Sequence, residues 1–156
     1  MQVAIKVLKK EDARLQLLEE ACVMAQVDHP NLVRSLGVCT TGRPMMLVLE
    51  FAAHGPLNDF LKEHSTGLAK MSPEMQMQAS MDVLEGMAYL EAVGLIHRDL
   101  AARNVLLDHE YRCKVSDFGL AKFGSDDDTY YVAENLDALP VRWLAPEALE
   151  HQKCGS

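Results

Sequence analysis

The sequence has no long apolar run, and it carries fewer basic than acidic side chains. Its most apolar segment, residues 45–53, contains Glu50 and is far shorter than the roughly 20 residues that a transmembrane helix needs. Lys and Arg number 15 against 23 Asp and Glu, which gives a formal net charge of −8. Nucleic acids and anionic membranes attract clustered positive charge. We therefore expect no nucleic-acid partner and no membrane segment in this chain.

Cysteine is scarce and scattered. The four cysteines form no C-x-x-C pair, and no histidine stands at metal-ligand spacing from them; they are Cys22, Cys39, Cys113 and Cys154. This pattern argues against a zinc site and against a disulfide framework. It predicts buried free thiols in a protein of a reducing compartment.

Short strands and one helix are predicted for the first third of the chain. Residues 3–8, 32–39 and 45–51 are apolar and β-branched runs typical of strands. Between the first two runs, apolar residues recur every three or four positions, which predicts a helix over residues 11–27. The side chains predicted to face the core from this helix are Leu15, Leu18, Cys22 and Ala25.

Helices dominate the prediction for the next part. His54-Gly55-Pro56 breaks the chain, and a short helix is expected over residues 57–64. Ser72-Pro73-Glu74 has the residues of a helix start, and Gly94 suits a helix end. Met77, Met81, Leu84 and Ala88 predict the buried stripe of this long helix. The whole pattern predicts a two-lobed α+β fold with a cleft near residues 54–56.

Two polar motifs follow the long helix. His97-Arg98-Asp99-Leu100-Ala101-Ala102-Arg103-Asn104 is followed by Asp117-Phe118-Gly119, and 18 positions separate Asp99 from Asp117. That distance accommodates a strand, a turn and a second strand, so a hairpin would bring the two carboxylates together. In phosphoryl transfer, one such carboxylate faces the attacking hydroxyl, and the other holds magnesium with an asparagine.

Two further motifs complete the pattern. Val3-Ala4-Ile5-Lys6 lies upstream, and Ala145-Pro146-Glu147 lies downstream. In this order and spacing, the four motifs resemble those of the protein kinase family over nearly the whole chain. The resemblance implies ATP-dependent phosphoryl transfer with Mg²⁺ as the cofactor, and Asp99 as the catalytic base.

The resemblance also assigns the groups that hold the nucleotide and the metal. Lys6 would hold the ATP phosphates, and Glu20 on the following helix would hold Lys6, since the neighbouring Glu19 points roughly 100° away. Asn104 and Asp117 would be the magnesium ligands, because Mg²⁺ prefers hard oxygen donors.

The resemblance extends to the adenine pocket, which is placed by position alone. Glu50, Phe51 and Ala52 would form the hinge, and Leu49 would stand behind the nucleotide. Leu106 and Ala4 would be the apolar plates around the base.

The residues around Asp99 favour a tyrosine substrate. Serine/threonine kinases usually carry a lysine two residues after the aspartate, where this chain has Ala101, and Arg103 stands two positions further on. That form is similar to the tyrosine kinases, as is the stretch Pro140-Val141-Arg142-Trp143. The expected partners are therefore protein substrates that carry tyrosine.

Tyr130 and Tyr131 fall where kinases carry activation-loop phosphosites. Phosphate there adds nearly two negative charges, and Arg98 would pair with it. This arrangement would permit trans-autophosphorylation between copies of the chain.

The chain also departs from the family pattern at its ends. No glycine-rich loop precedes Lys6, and nine residues follow Glu147. We therefore expect a kinase-like fold truncated at both ends, with a partial N-terminal lobe at 1–53 and a partial C-terminal lobe at 54–156. The alternative is a catalytically impaired fragment acting as a non-catalytic binding or regulatory module. The expected location is the cytoplasm, or the cytoplasmic portion of a membrane receptor in a longer parent.

Overall fold

A computed structural model of the chain describes residues 2–7, 14–41, 44–65, 71–124, 130–132 and 153–155. It has three α-helices and ten short β-strands within that part. The helices are α1 (Arg14–Met24), α2 (Leu57–Glu63) and α3 (Pro73–Ala92). The strands are β1 (Val3–Val7), β2 (Ser35–Cys39), β3 (Met46–Glu50), β4 (Gly55–Pro56), β5 (Leu95–Ile96), β6 (Val105–Leu107), β7 (Cys113–Val115), β8 (Lys122–Phe123), β9 (Tyr130–Val132) and β10 (Lys153–Gly155). The motif at residues 140–147 and the side chains of Tyr130 and Tyr131 lie outside the described residues.

The first three strands form one antiparallel sheet in the order β1-β3-β2. The predicted strands are confirmed, although β2 begins only at Ser35, with a register shift between Ser35 and Gly37. Lys6 pairs with Leu47 of the central strand, and Leu47 is fully buried. The pairing of β1 with β3 thus fixes the position of Lys6 along the sheet.

Helix α1 is confirmed, but its predicted buried face is wrong. Leu15 is 71% exposed, and Cys22 and Ala25 are also exposed, whereas Leu18 is only partly buried. The buried residues are Leu17, Glu20, Ala21 and Met24. The reason is that Glu20, a charged residue, lies on the core side of α1. A prediction from apolar periodicity assigns charged residues to the solvent side of a helix.

The long helix α3 begins and ends as predicted. The Ser72 hydroxyl accepts a hydrogen bond from the Met75 N–H at 3.3 Å, as an N-cap does. Gly94 follows the helix with φ +71°, a conformation that glycine adopts without steric cost.

The predicted buried stripe of α3 is wrong, because the stripe faces outward. Met77, Met81 and Leu84 are 66%, 43% and 60% exposed, and Ala88 is exposed as well. The core side consists of small and polar residues, namely Ala79, Asp82 and Gly86, together with Leu90. A Cβ at Gly86 would lie 2.9 Å from the Asn31 carbonyl oxygen, so glycine permits the helix to approach residues 30–32 closely.

The hairpin predicted between the two motifs is confirmed as β6 and β7. Leu106 pairs with Lys114, and β4 extends the same sheet by pairing with β6. The outer side of β7 is held by the Asn31 side chain, which donates to the Cys113 carbonyl at 3.0 Å. A core cluster that includes Leu17, Leu47, Leu90 and Phe118 joins the first sheet to α3 and the hairpin. The fold is therefore mixed α+β, with small antiparallel sheets and helices.

Cys22, Cys39 and Cys113 are free thiols, but only Cys113 is buried, whereas the sequence predicted buried thiols. Cys113 is fully buried, whereas Cys22 is exposed and Cys39 is partly exposed. Burial, together with the nearby Asp82 carboxylate, raises the pKa of the Cys113 thiol to about 12. Cys113 is therefore an inert core residue.

Candidate active site

Lys6, Glu20 and Asp117 meet at one point. The Lys6 ammonium donates to both Glu20 carboxylate oxygens at 2.7 and 2.8 Å, and to Asp117 Oδ1 at 2.9 Å. Glu20 is 4% exposed, whereas the neighbouring Glu19 is exposed. Strand β1, helix α1 and the segment after β7 are thus joined by a single cation. Lys6 can bridge them because its strand position places it opposite the core side of α1.

Burial and mutual contact change the pKa values of these three groups. Burial lowers the pKa of Lys6, but its hydrogen bonds to Glu20 and Asp117 outweigh that effect and raise it above the ordinary value. For Glu20 burial dominates and raises the pKa, although Lys6 opposes the rise. Burial also raises the pKa of Asp117, but the Lys6 ammonium and the Gly119 backbone reverse this, and the net pKa is lowered.

The lowered pKa of Asp117 gives a pH prediction. A carboxyl whose pKa is lower in the folded state stabilises that state above its unfolded pKa, near 3.8, and loses this contribution as the pH falls through the folded value. Replacing Asp117 with asparagine should therefore flatten the decline of stability below about pH 3.8. Urea unfolding between pH 2 and 5 measures this, with Asp59→Asn on α2 as the control. An unchanged acid decline in the Asp117 variant would contradict the assignment.

Asp99 is held by its own loop. Asn104 Nδ2 donates to the Asp99 carbonyl oxygen and to Asp99 Oδ2, each at 2.8 Å, and Arg103 forms an ion pair with Asp99 Oδ1. The Asp99 N–H donates to His97 Nδ1 at 3.2 Å, while His97 Nε2 lies 3.0 Å from the Ser116 carbonyl oxygen. His97 is 1% exposed, so a buried ring connects the Asp99 loop to the end of β7.

The backbone around Asp117 has one unusual feature. Asp117 adopts φ +64° and ψ +72°, a left-handed conformation that is strained for a residue with a side chain. In the described part, Gly119 has no positive φ; a Cβ there would lie 3.4 Å from Asp117 Oδ1 and 3.7 Å from Glu20 Oε2. Both distances are ordinary van der Waals contacts, so neither backbone conformation nor lack of space requires a glycine at position 119.

Arg98 also has a positive φ, at +64°, and lies near the same segment. Its Nε donates to the Leu120 carbonyl oxygen. The guanidinium therefore lies beside the segment that leads towards Tyr130, although the side chain of Tyr130 is not among those described.

A cleft of about 370 Å³ opens between the first sheet and the β6–β7 hairpin. Every residue predicted to contact ATP lines it, as do Arg103 and Asn104. The predicted residues are Ala4, Lys6, Glu20, Leu49, Glu50, Ala52, Leu106 and Asp117. The cleft also contains residues to which the sequence assigned no role there, namely Met24, Val33, Gly55, Pro56 and Ser116. Gly55 and Pro56 lie where the cleft was expected; the other three had no signal beyond ordinary apolar or small side chains.

The two ends of the cleft differ in chemistry. Ala4, Leu49 and Leu106 make one part apolar, and there the Ala52 N–H donates no hydrogen bond within the described residues. A flat base with an acceptor nitrogen fits such a surface. The other end carries the Lys6 ammonium and the Asp117 carboxylate, which suits phosphates and their counter-ion.

The donors for a metal ion are few. The described residues contain no group of three or more His, Cys, Asp or Glu side chains that would hold a metal by themselves. Asn104 uses its side-chain nitrogen for both of its side-chain hydrogen bonds, so its Oδ1 remains as a hard oxygen donor beside Asp117. One carboxylate and one amide oxygen fit Mg²⁺, which usually takes its remaining ligands from water and substrate phosphates.

Comparison with known proteins gives the family of the chain. A family model described as protein tyrosine and serine/threonine kinase matches residues 1–156. The chain is 45% identical to tyrosine-protein kinase SYK of Gallus gallus, over 99% of the chain and 25% of that protein. The chain belongs to the protein tyrosine kinase family. Two further relatives from Gallus gallus are ephrin type-A receptor 7, at 42% identity, and ephrin type-B receptor 1, at 41%.

This kinase chain spans a quarter or less of the length of those relatives. The match covers 97% of the chain for each ephrin receptor, but only 15% of the type-A receptor and 16% of the type-B receptor. Within the described residues, no helix of the kinase chain is long and apolar enough to cross a membrane.

Proposed function

We propose that this chain carries the site for ATP-dependent phosphate transfer to tyrosine hydroxyls of protein substrates, with Asp99 as the catalytic base. The observation that carries the proposal is the meeting of Lys6, Glu20 and Asp117 at the polar end of the cleft. Three elements distant in sequence supply these groups. Packing alone gives no reason to gather two carboxylates around one ammonium there.

Asp99 serves the acceptor hydroxyl. Its carboxylate is oriented by Arg103 and by the Asn104 amide, so it needs little reorganisation when a phenol approaches. It accepts the phenol proton as the oxygen–phosphorus bond forms. The bond from the γ-phosphorus to the bridging oxygen breaks, and ADP leaves.

Lys6 serves the nucleotide. Its ammonium would hold the α- and β-phosphates, while Glu20 keeps it in place from the core side. Asn104 and Asp117 would hold Mg²⁺, which when bound neutralises charge on the β- and γ-phosphates. Ala4, Leu49 and Leu106 would enclose the adenine, and the backbone of Glu50 and Ala52 would receive its edge.

The preference for tyrosine rests on the residues that follow Asp99. Ala101 has a methyl side chain and is 4% exposed, so position 101 supplies no polar side chain to an acceptor. Arg103 reaches back to Asp99 from four positions further along the chain. A phenol is longer than a serine side chain, and an arginine four positions after the base, in place of a lysine two positions after it, suits the longer acceptor.

Activation would act through the segment after Asp117. Phosphate on Tyr131, or on its neighbour Tyr130, adds nearly two negative charges near pH 7. Arg98, which already contacts Leu120 in that segment, would then pair with the phosphate and order the loop. Because the site uses ATP and the described thiols are free, we place the chain in the cytoplasm, including the cytoplasmic part of a receptor.

The test compares two polymeric acceptors. The purified chain is incubated with Mg²⁺ and radiolabelled ATP together with a random Glu–Tyr or a random Glu–Ser–Thr copolymer. Transfer to the tyrosine polymer is expected to exceed transfer to the other by about 100-fold or more, because a misplaced acceptor loses the advantage of orientation. Equal transfer would contradict tyrosine specificity, and absence of transfer to both would contradict catalysis by the isolated chain.

A second candidate is a non-catalytic binding module. The observation that favours it is the exposed apolar side chains, among them Leu15, Met77 and Leu84 at 71%, 66% and 60%. Large exposed apolar surfaces commonly mark contacts with a partner. Unfolding scans with Mg-ATP separate the two candidates, since a ligand that binds only the folded chain raises its Tm. A kinase should show this shift together with transfer; a pure binding module should show neither.

A further inference from the structure

Tyr111 lies in the tight turn that joins β6 to β7, away from the cleft. It is 44% exposed and adopts φ +61°, which is strained for an aromatic residue. Asp108 closes the turn, because its Oδ1 accepts from the N–H groups of Glu110 and Arg112 at 2.8 and 3.0 Å. The turn is thus short, accessible and held by local contacts.

The ring of Tyr111 has contacts, but its hydroxyl has none. The ring stacks on His54 at 4.0 Å with an interplanar angle of 13°, and Phe60 lies 5.8 Å away. Within the described part of the chain, the Tyr111 hydroxyl makes no hydrogen bond. Stacking therefore fixes the ring plane and leaves the reactive oxygen available.

Tyr89 provides a contrast within the same molecule. It also stacks on a histidine, His29, with the ring centroids 5.0 Å apart. Its hydroxyl, however, accepts a hydrogen bond from the Asp28 N–H at 3.2 Å, and the residue lies in the last turn of α3, partly buried against the core. A tyrosine held in this way reacts more slowly than one with a free hydroxyl, because its oxygen must first leave the hydrogen bond.

The charge around Tyr111 suits a tyrosine kinase. Asp108 and Glu110 precede it, and the Glu110 side chain is 71% exposed. The proposed catalytic loop presents Arg103, which is 41% exposed, beside Asp99. The two acidic residues before Tyr111 attract Arg103 when two chains meet, and Arg112, which follows Tyr111, is itself paired with Asp82.

We propose that Tyr111 is a phosphorylation site of this chain, modified by a tyrosine kinase such as a second copy of the same chain. Where the modifying enzyme is a second copy of the same chain, the proposal rests on the proposed function. The Tyr111 phenol oxygen attacks the γ-phosphorus of ATP, the bond to the bridging oxygen breaks, the phenol proton passes to Asp99 of the enzyme copy, and ADP leaves.

The test uses the Asp99→Asn chain as the substrate, because its own transfer should be about 10²- to 10⁴-fold slower than that of the wild-type chain. In one arm the enzyme is the wild-type chain, and in the other it is a separately purified active tyrosine kinase, each with Mg-ATP. Fragmentation mass spectrometry then measures the phosphate at each tyrosine. Phosphate on Tyr111 should exceed that on Tyr89 by about tenfold or more, since the Tyr89 ring is partly buried and its hydroxyl must first leave the hydrogen bond with the Asp28 N–H. The Asp99→Asn/Tyr111→Phe chain should lose only that phosphate.

The outcomes separate this inference from the proposed function. Labelling of Tyr111 by the added kinase, with none from the wild-type chain at any site or on the Glu–Tyr polymer, supports the inference and contradicts catalysis by the isolated chain. Labelling of Tyr130 or Tyr131 with Tyr111 no higher than Tyr89 in both arms overturns the inference alone. Equal labelling of Tyr89 and Tyr111 also overturns it, because the free hydroxyl of Tyr111 would then give no advantage.

Discussion

Replacing Asp99 with asparagine should lower the turnover number for phosphate transfer by about 10²- to 10⁴-fold, the usual contribution of a general base. Asparagine keeps the shape of the side chain but accepts a phenol proton far less readily. The measurement is the steady-state rate on the Glu–Tyr polymer at saturating Mg-ATP. The KM for ATP should change little, because Asp99 does not line the cleft.

The control for the Asp99 variant must show that losing a carboxylate elsewhere in the chain does not lower the rate. Glu85→Gln removes one carboxylate from the exposed side of α3 and should leave the rate unchanged. Unfolding of the Asp99 variant should show that the fold is retained, since Asn104 still has the Asp99 carbonyl oxygen as a partner. A variant that folds and keeps more than a tenth of the rate would refute the role given to Asp99.

Replacing Lys6 with methionine should lower both the free energy of unfolding and the affinity for ATP. Glu20 would keep a buried carboxylate without its cation, and breaking such a pair costs about 2–4 kcal/mol of unfolding free energy. The affinity for ATP should fall by about 10- to 100-fold, the value of one charge-assisted hydrogen bond. Urea unfolding and calorimetric titration with Mg-ATP measure the two effects.

The double variant Lys6→Met/Glu20→Met distinguishes the two roles of Lys6. Removing both charges should restore most of the stability, because no buried ion remains unpaired, whereas ATP binding should stay as weak as in the single variant. The loss of stability in the single variant should also be smaller at pH 5 than at pH 8. The pKa of Glu20 is already raised by burial, and a carboxyl with a raised pKa favours the folded state at low pH. Recovery of ATP binding in the double variant would refute the phosphate role.

The sequence predicted the polar partners better than the apolar ones. Lys6 alternates with apolar residues in a strand, where a cation needs a partner, and the resemblance to the kinase family, not the apolar pattern of α1, singled out Glu20. The spacing between Asp99 and Asp117 predicted the hairpin because a short β-hairpin has few possible lengths. Sequence rules were sufficient for the hairpin, because the constraint on its length lies within one short stretch of chain.

Long-range packing accounts for what the sequence did not predict. The core side of α3 carries Asp82, whose buried charge is matched by Arg112 at 2.6 Å and by the Cys113 N–H at 2.8 Å. Apolar periodicity assigns a charged position to solvent, so it chose the opposite face of the helix. The sequence likewise did not predict the left-handed backbone of Asp117, because its contacts with Lys6 and with the Gly119 backbone form only in the folded chain.

The most direct test of the central claim is where a paramagnetic ion binds. In spectra of the ¹⁵N-labelled chain, Mn²⁺ in place of Mg²⁺, added with ATP, should broaden the side-chain amide of Asn104 and the backbone amides next to Asp117. The same Mn²⁺ without ATP should broaden them far less, because one carboxylate and one amide are too few ligands. Broadening that is independent of ATP, or that centres on the exposed face of α3, would contradict a nucleotide–metal site in this cleft.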